Sequence, residues 1–401
     1  MPSRAAAPTP AIVLGGKETA IPVCRSLGRA GIPVIALGER DDPIGRSRYC
    51  REFVAVEGGE DLEQRWLEEL TSRPRPGVLL APSDHGVELV ARNRAALTEL
   101  GYVPFEANDE ALLAVLDKGR SYELALKAGV PTPKCIALHD PEDLRLLDEI
   151  EFPCGIKPLE GHLFRERTGS NEKLILVDSP EEFDALARPW LAAGLGLMAT
   201  EVVPGPDDQL FGLLTYIDER GEPLFEFTNR KLRQDPPHFG VGCYVRHEEQ
   251  PEVAELGLRF LRAAGFRGPA HVEFKRDPVT GAFKLIECNP RFNLAAAMLP
   301  AAGIDLPLLT YRRALGQPGP PMTMTRPGVH LWHPIPDLRS ARTLRKEGSL
   351  TWPAWLRSLL HRQRFTLWAL DDPVPSLVAN ARTLASALRN RLPGRRRGAT
   401  A

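Results

Sequence analysis

The chain lacks any run approaching the roughly 20 apolar residues of a membrane span, and no apolar segment of signal-peptide length follows Met1. It also lacks an excess of either charge. Its 51 Lys and Arg against 52 Asp and Glu leave a net charge of −1, too little basic field to hold a nucleic-acid backbone, so any phosphate recognition must be local. The six cysteines include no C-x-x-C pair. That argues against a disulfide framework or zinc site and for buried thiols in a reducing compartment. A GxGxxG fingerprint is missing, so NAD(H) binding is not expected, and LGGKETA fails as a P-loop because Lys17 is followed by Glu18 rather than Ser or Thr. The expected location is cytoplasmic, without membrane association.

What is present reads first as α/β. Ala11 to Leu14, a helical stretch to about Ala30 and the run Ile32 to Leu37 make strand, helix, strand, and Val78 to Asp84 adds a further strand. Residues 1–105 therefore read as a small doubly wound domain. Asn108 is placed to cap a helix with Asp109 and Glu110 in its first turn. A second helix, from about Asp117 to Ala128, stops at Gly129 before Pro131 and Pro133. Beyond it, short β-type runs dominate, with helical stretches at 180–193 and 251–264, which predicts an α+β body with largely antiparallel sheets. From about 311 the chain is richer in Pro, Trp and Arg. Residues 355–370 read as an amphipathic helical appendage, and RNRLPGRRRGATA as a disordered basic end. Trp352, Trp355 and Trp368 are expected to pack on the body rather than on a membrane.

The chemistry concentrates in HVEFKRDPVTGAFKLIECNPR (271–291), two alternating strands around a turn at Asp277 to Gly281. In an unbulged even register Glu273 and Glu287 share one face, about 5 to 8 Å apart. Two carboxylates that close require a proton or a cation between them. Asn289 adds a third oxygen to a set suited to Mg²⁺ (or Mn²⁺) with phosphate oxygens. The plain alternative is a solvated face of an edge hairpin ended by Pro290.

E-x-N-P-R closing a strand, with a second Glu on the strand before it, resembles the metal hairpin of the ATP-grasp superfamily, of the carboxylate–amine ligase type. Four other stretches match in order, and the resemblance covers residues 11 to about 310. It implies a Rossmann-like pre-ATP-grasp domain at 1–105, an ATP-grasp body in two subdomains at 106–198 and 199–310, and a C-terminal extension at 311–401. In DKGRSYELALKAGVPTP (117–133) and FPCGIKP (152–158) it implies that Lys118 and Lys157 contact nucleotide phosphates. In ATEVVPGPDD (199–208) it implies adenine at Glu201, Val202 and Val203 and ribose at Asp208. FTNRKLRQDPPHFGVGCYVR (227–246) then supplies Lys231 and Arg233, which with Arg291 meet the γ-phosphate and the substrate carboxylate. Glu273, Glu287 and Asn289 are implied as the metal ligands, and ATP and Mg²⁺ as the cofactors. One stretch departs from the family. In place of a glycine-rich flap stands PLEGHLFRERTGSNEKL (158–174), with isolated Gly161 and Gly169, so a lid here would use His162, Arg165 or Arg167 as much as backbone amides.

The implied activity is ATP-dependent ligation: a carboxylate is activated as an acyl phosphate and coupled to an amine, an amino acid or small peptide, with release of ADP and phosphate. The rivals are a carboxyphosphate-forming carboxylase and a non-catalytic ATP-binding regulator. The expected partners are small-molecule carboxylate and amine substrates, with no nucleic acid, and a homodimer is the assembly considered.

Overall fold

The computed structural model describes residues 8–59, 61–159, 161–169, 174–323 and 328–389. Its first sheet is parallel and five-stranded, in the order β3-β2-β1-β4-β5. The strands are β1 (Ala11–Leu14), β2 (Val34–Glu39), β3 (Cys50–Val56), β4 (Val78–Leu80) and β5 (Val103–Pro104), linked by helices α1 (Ala20–Arg29), α2 (Leu62–Ser72) and α3 (Asp84–Glu99). The AIVL run of β1 is wholly buried, as continuous apolar strands are when helices cover both faces of a parallel sheet. The winding reverses between β1 and β4, and ligands of such sheets collect in the crevice beyond the carboxyl ends of strands at that point. Gly15 turns the chain there at φ 64°. A Cβ on it would meet the Trp66 ring at 2.6 Å and Ser83 Oγ at 2.9 Å. Ser83 in turn caps α3, accepting from the Gly86 amide while donating to the Leu14 carbonyl at 2.8 Å. Asp84 therefore opens α3 at the crevice.

Two capped helices follow. Asn108 accepts from the Ala111 amide to start α4 (Asp109–Leu116), and Asp117 accepts from the Arg120 amide to start α5 (Lys118–Lys127). A four-stranded antiparallel sheet comes next, ordered β6-β9-β7-β8: β6 (Cys135–Leu138), β7 (Cys154–Pro158), β8 (Ile175–Val177) and β9 (Leu197–Glu201). With α6 (Gly161–Thr168) and α7 (Pro180–Ala192) it keeps a core of its own around Phe183, Leu197 and Ala199. The largest sheet holds β10 (Leu210–Ile217), β11 (Pro223–Asp235), β12 (Val241–His247), β13 (Gly268–Arg276) and β14 (Phe283–Asn289), and α8 (Pro251–Ala263) packs on it. Both predicted helical stretches, 180–193 and 251–264, are present within a residue.

The C-terminal residues differ from the sequence reading. After α9 (Leu306–Ala314), the chain forms β15 (His330–Trp332), α10 (Pro334–Lys346), α11 (Trp352–Ser358), β16 (Gln363–Phe365) and α12 (Val374–Arg389). The helix expected over 355–370 thus ends at Ser358, and Gln363–Phe365 pairs parallel with β15. Leu356, Leu360 and Leu370 are 58%, 81% and 88% exposed. The segment therefore has no continuous face to bury as a helix, and strand pairing overrides local preference. β15 and β16 extend the large sheet to seven strands, ordered β14-β13-β10-β11-β12-β15-β16. α12 is anchored on α1 and on the segment before β3: buried Arg25 bonds Asp372 Oδ2 at 2.9 Å and Ser376 Oγ at 3.2 Å, and Ser47 Oγ donates to Asp372 at 2.7 Å. The stretch is a strap between the large sheet and the first domain, not an appendage. The basic end, apart from Arg389, lies outside the described residues.

Asp337 on α10 is wholly buried and accepts from Arg233 Nε at 2.6 Å, Trp332 Nε1 at 3.0 Å and Trp355 Nε1 at 2.9 Å. Asp337→Ala would leave Arg233 as a buried charge without its partner. Denaturant unfolding should show a loss of about 3 to 5 kcal/mol, and a loss below 1 kcal/mol would contradict the cluster's assigned role. Among the described residues no single helix is long and apolar enough to cross a membrane.

Candidate active site

Glu273 and Glu287 are direct cross-strand partners, and His271 faces Asn289 in the same ladder. The route to that pairing was not in the sequence reading. Next to the turn the register is odd, with Phe274 opposite Leu285 and Arg276 opposite Phe283. Continued unbroken, it would set Glu273 against Ile286 and send Glu287 to the other face. A bulge at Ile286 adds one residue to β14 and restores the shared face. It also turns the Ile286 carbonyl out of the ladder, where it accepts from Tyr122 Oη at 2.8 Å and from Lys157 Nζ at 3.4 Å.

These groups line a cavity of about 450 Å³ bounded by α3, α5 and strands of the second and third sheets. Lys118, Lys157, Glu201, Val202, Val203, Lys231, Glu273, Glu287, Asn289 and Arg291 all reach it. Ten of the twelve predicted site residues are thus brought together. Lys118 Nζ donates to the Pro158 and Leu159 carbonyls at 3.2 and 3.3 Å. Lys157 is 8% exposed, and burial pushes its ammonium pKa down, partly offset by Glu287, Cys135 and Glu273. At the end formed by β9, Glu201 accepts from Lys284 Nζ at 2.6 Å and from the Lys134 amide at 3.0 Å. At the opposite end Arg291 bonds Asp84 twice, at 2.5 and 3.1 Å, joining the hairpin to the crevice of the parallel sheet.

Arg233 and Asp208 are not in this cavity. Along a regular strand Arg233 would share a face with Lys231, but the β11–β12 ladder is irregular between 231 and 234. Arg233 consequently turns to Asp337 and stacks on the Tyr244 ring at 4.3 Å, while Gln234 faces the cavity. Asp208 pairs with Arg230 at 3.2 Å on the outer side. Its buried neighbour Asp207 points inward and accepts from Gln234 Nε2 at 3.0 Å and from the His238 amide at 2.9 Å. Lys17, which fails the P-loop pattern, is exposed and pairs with Glu39. The expected lid is in part a helix, α6; the side chains of His162 and Arg165 lie outside the described residues, and Arg167 donates to the Ala193 carbonyl at 3.3 Å.

The residues missed were Asp84, Glu88 and Arg92 on α3, Tyr122, Gln234, His238 and Lys275, all of which line the cavity. Asp84 had a readable signal: an acid ending a buried parallel strand at the winding reversal. Tyr122 had none beyond its place on an amphipathic helix.

The donor set fits a hard divalent cation. Among the described residues no group of three or more His, Cys, Asp or Glu is placed to hold a metal ion by itself. Two facing carboxylates with a carboxamide beside them nevertheless match an ion that keeps several waters and takes phosphate oxygens. Asn289 Nδ2 donates to Glu287 Oε1 at 3.0 Å, and Lys231 Nζ lies 2.5 Å from Glu273 Oε2. Burial is the largest influence on the Lys231 ammonium and lowers its pKa, but Glu273, Glu287 and Asp207 oppose it and the net shift is upward. The facing acids thus already attract a cation.

No family model matches the chain. It is 23% identical over 327 residues to the D-aspartate ligase of Enterococcus faecium, with 77% of each chain covered. Among solved structures it matches the L-amino acid ligase from Bacillus licheniformis with a TM-score of 0.59 at 18% identity, covering 77% of this chain and 74% of that one. The chain has the ATP-grasp fold. A second ATP-grasp structure, the biotin carboxylase domain of Hydrogenobacter thermophilus 2-oxoglutarate carboxylase in complex with MgADP and bicarbonate, gives a TM-score of 0.59 at 18% identity, covering 76% and 70%. In the ATP-grasp arrangement seen here, the cavity is lined by strands of the second and third sheets and, from the first domain, by α3.

Proposed function

We propose that this chain is an ATP-dependent carboxylate–amine ligase releasing ADP and phosphate. The observation that carries the reading is the facing pair Glu273 and Glu287 in one cavity with four lysines, Lys118, Lys157, Lys231 and Lys275. A triphosphate needs that much positive charge around it, and the lysines with a divalent cation supply it. The cation would be held by Glu273, Glu287 and Asn289. When bound it supplies charge neutralisation at the phosphate oxygens.

A substrate carboxylate oxygen forms a bond to the γ-phosphorus as the bond to the bridging oxygen breaks, giving ADP and an acyl phosphate. An amine nitrogen then bonds to the acyl carbon, the phosphate leaves with the C–O electron pair, and the nitrogen loses its proton. This chain's part is positioning and electrostatics. Lys118 and Lys157 orient the phosphates, Lys231 and Arg291 hold the transferred group and the carboxylate, and Val202, Val203 and Glu201 bound the end where adenine lies. Arg233 leaves this assignment for the Asp337 cluster, and Asp208 leaves it for its pair with Arg230. The six free thiols suit the cytoplasm.

The test is ADP release from Mg-ATP with pairwise mixtures of amino acids and carboxylic acids, with mass spectrometry of the condensed product. Release that needs both an amine and a carboxylate supports the reading. Strict dependence on bicarbonate would move it to a carboxyphosphate-forming carboxylase.

A further inference from the structure

Three polar atoms beside the acidic pair have no hydrogen-bond partner among the described residues: Nδ1 and Nε2 of His271 and Nδ2 of Asn229. Both side chains are buried, at 2% and 1% exposure. Unpaired polar groups at such depth are rare and costly, so three of them together call for an explanation. Their positions supply one. Gly212 on β10 is the direct partner of Asn229 on β11 and of Glu273 on β13, and all three belong to the face that carries Glu287. A Cβ on Gly212 would lie 2.3 Å from His271 Nε2 and 3.2 Å from Asn229 Nδ2, so both nitrogens lean into the space that the glycine leaves open. His271 Nδ1 lies 3.3 Å from Glu273 Oε1, within ion-pair range but off line for a hydrogen bond. Of the residues directly opposite His271 on that face, Leu214 is apolar and Asn289 already donates to Glu287 Oε1 at 3.0 Å.

We propose that Asn229, His271 and Glu273 form a relay across Gly212: Asn229 Nδ2 donates to His271 Nε2, and His271 Nδ1–H donates to Glu273 Oε1. A small rotation of the imidazole satisfies all three orphaned atoms and fixes the ring tautomer. The other Glu273 oxygen already meets Lys231. With both oxygens held, the carboxylate is presented to a divalent cation in one orientation, as outer partners do for metal ligands. His271 and Asn229 are positioning residues, and Gly212 is what lets them meet. The metal part of this inference rests on the ligase reading; the relay itself does not.

Two measurements test it. In metal-free protein with ¹⁵N-labelled histidine, the His271 resonances, assigned by their loss in His271→Asn, should show a proton on Nδ1 and a lone pair on Nε2, and Asn229→Leu should disturb that tautomer. In the presence of ADP, Mn²⁺ titration followed by electron paramagnetic resonance should show His271→Leu binding the metal about 10- to 100-fold more weakly. His271→Asn, whose amide nitrogen lies where Nδ1 was, should bind near wild type. An Nε2–H tautomer, unchanged Mn²⁺ affinity in His271→Leu, or equal losses in the Leu and Asn variants would overturn the relay. If wild-type protein binds no Mn²⁺ with ADP, the ligase reading fails, while the tautomer measured without metal still decides the relay.

Discussion

Glu287→Gln should lower ADP formation by about 10³-fold or more while leaving the melting temperature close to that of the wild type. The two side chains have the same shape, and the Gln oxygen can still accept from Asn289 Nδ2, which bonds Glu287 Oε1 at 3.0 Å. Cross-strand packing in the hairpin is therefore preserved. What disappears is one of two facing negative charges, half of the ionic set from which a divalent cation would be held. The loss should appear in kcat rather than in the KM of the second substrate, because the missing interaction acts on the transferring phosphoryl group. A coupled assay for ADP with a parallel thermal melt decides it. Turnover at the wild-type rate would remove Glu287 from the mechanism.

Lys157→Met carries a second large effect, with opposite signs for function and stability. The ammonium is buried, it donates to the Ile286 carbonyl at only 3.4 Å, and burial lowers its pKa from the ordinary 10.5. A nucleotide phosphate would complete its surroundings. Its loss should weaken ATP binding by roughly 10- to 100-fold, the worth of about one hydrogen bond to a charged group. Without nucleotide, removing a poorly compensated buried cation should instead raise unfolding free energy by about 1 to 3 kcal/mol. The pH dependence has a definite sign. Because the folded-state pKa is lowered, the unfolded chain binds more protons at this site between that value and 10.5, so stability of the free protein rises with pH across that window. Below the folded-state pKa the penalty is fully present. Lys157→Met should lack that slope, and nucleotide should flatten it in the wild type by restoring the proton. Isothermal titration and denaturant melts at several pH values check both; a variant with lower stability and unchanged ATP affinity would contradict the assignment.

How much of this was legible in the sequence depended on whether a local period or a long-range contact set the geometry. Alternation in 271–291 correctly put the two glutamates on one face, yet the odd register at the turn end would have separated them without the bulge at Ile286. Nothing in KLIEC marks Ile286 as the extra residue. The same period-2 reasoning failed at Arg233, because the ladder irregularity between 231 and 234 turns it from the cavity toward Asp337, a residue 104 positions away. His271 could have been found, since it stands two residues before Glu273 on the same strand face. The pair Asp84 and Arg291, 207 positions apart, needed the two sheets in place. The three-residue strands His330–Trp332 and Gln363–Phe365 are too short for alternation to declare them, and only pairing with each other and with Val241–His247 makes them strands.

The most direct test of the account is diffraction from crystals grown with ADP and Mn²⁺, collected at the manganese absorption edge. The expected result is an anomalous peak coordinated by oxygens of Glu273 and Glu287, with the nucleotide's phosphates beside Lys118 and Lys157. Bound nucleotide with no manganese at that hairpin, or with its phosphates outside this cavity, would contradict it.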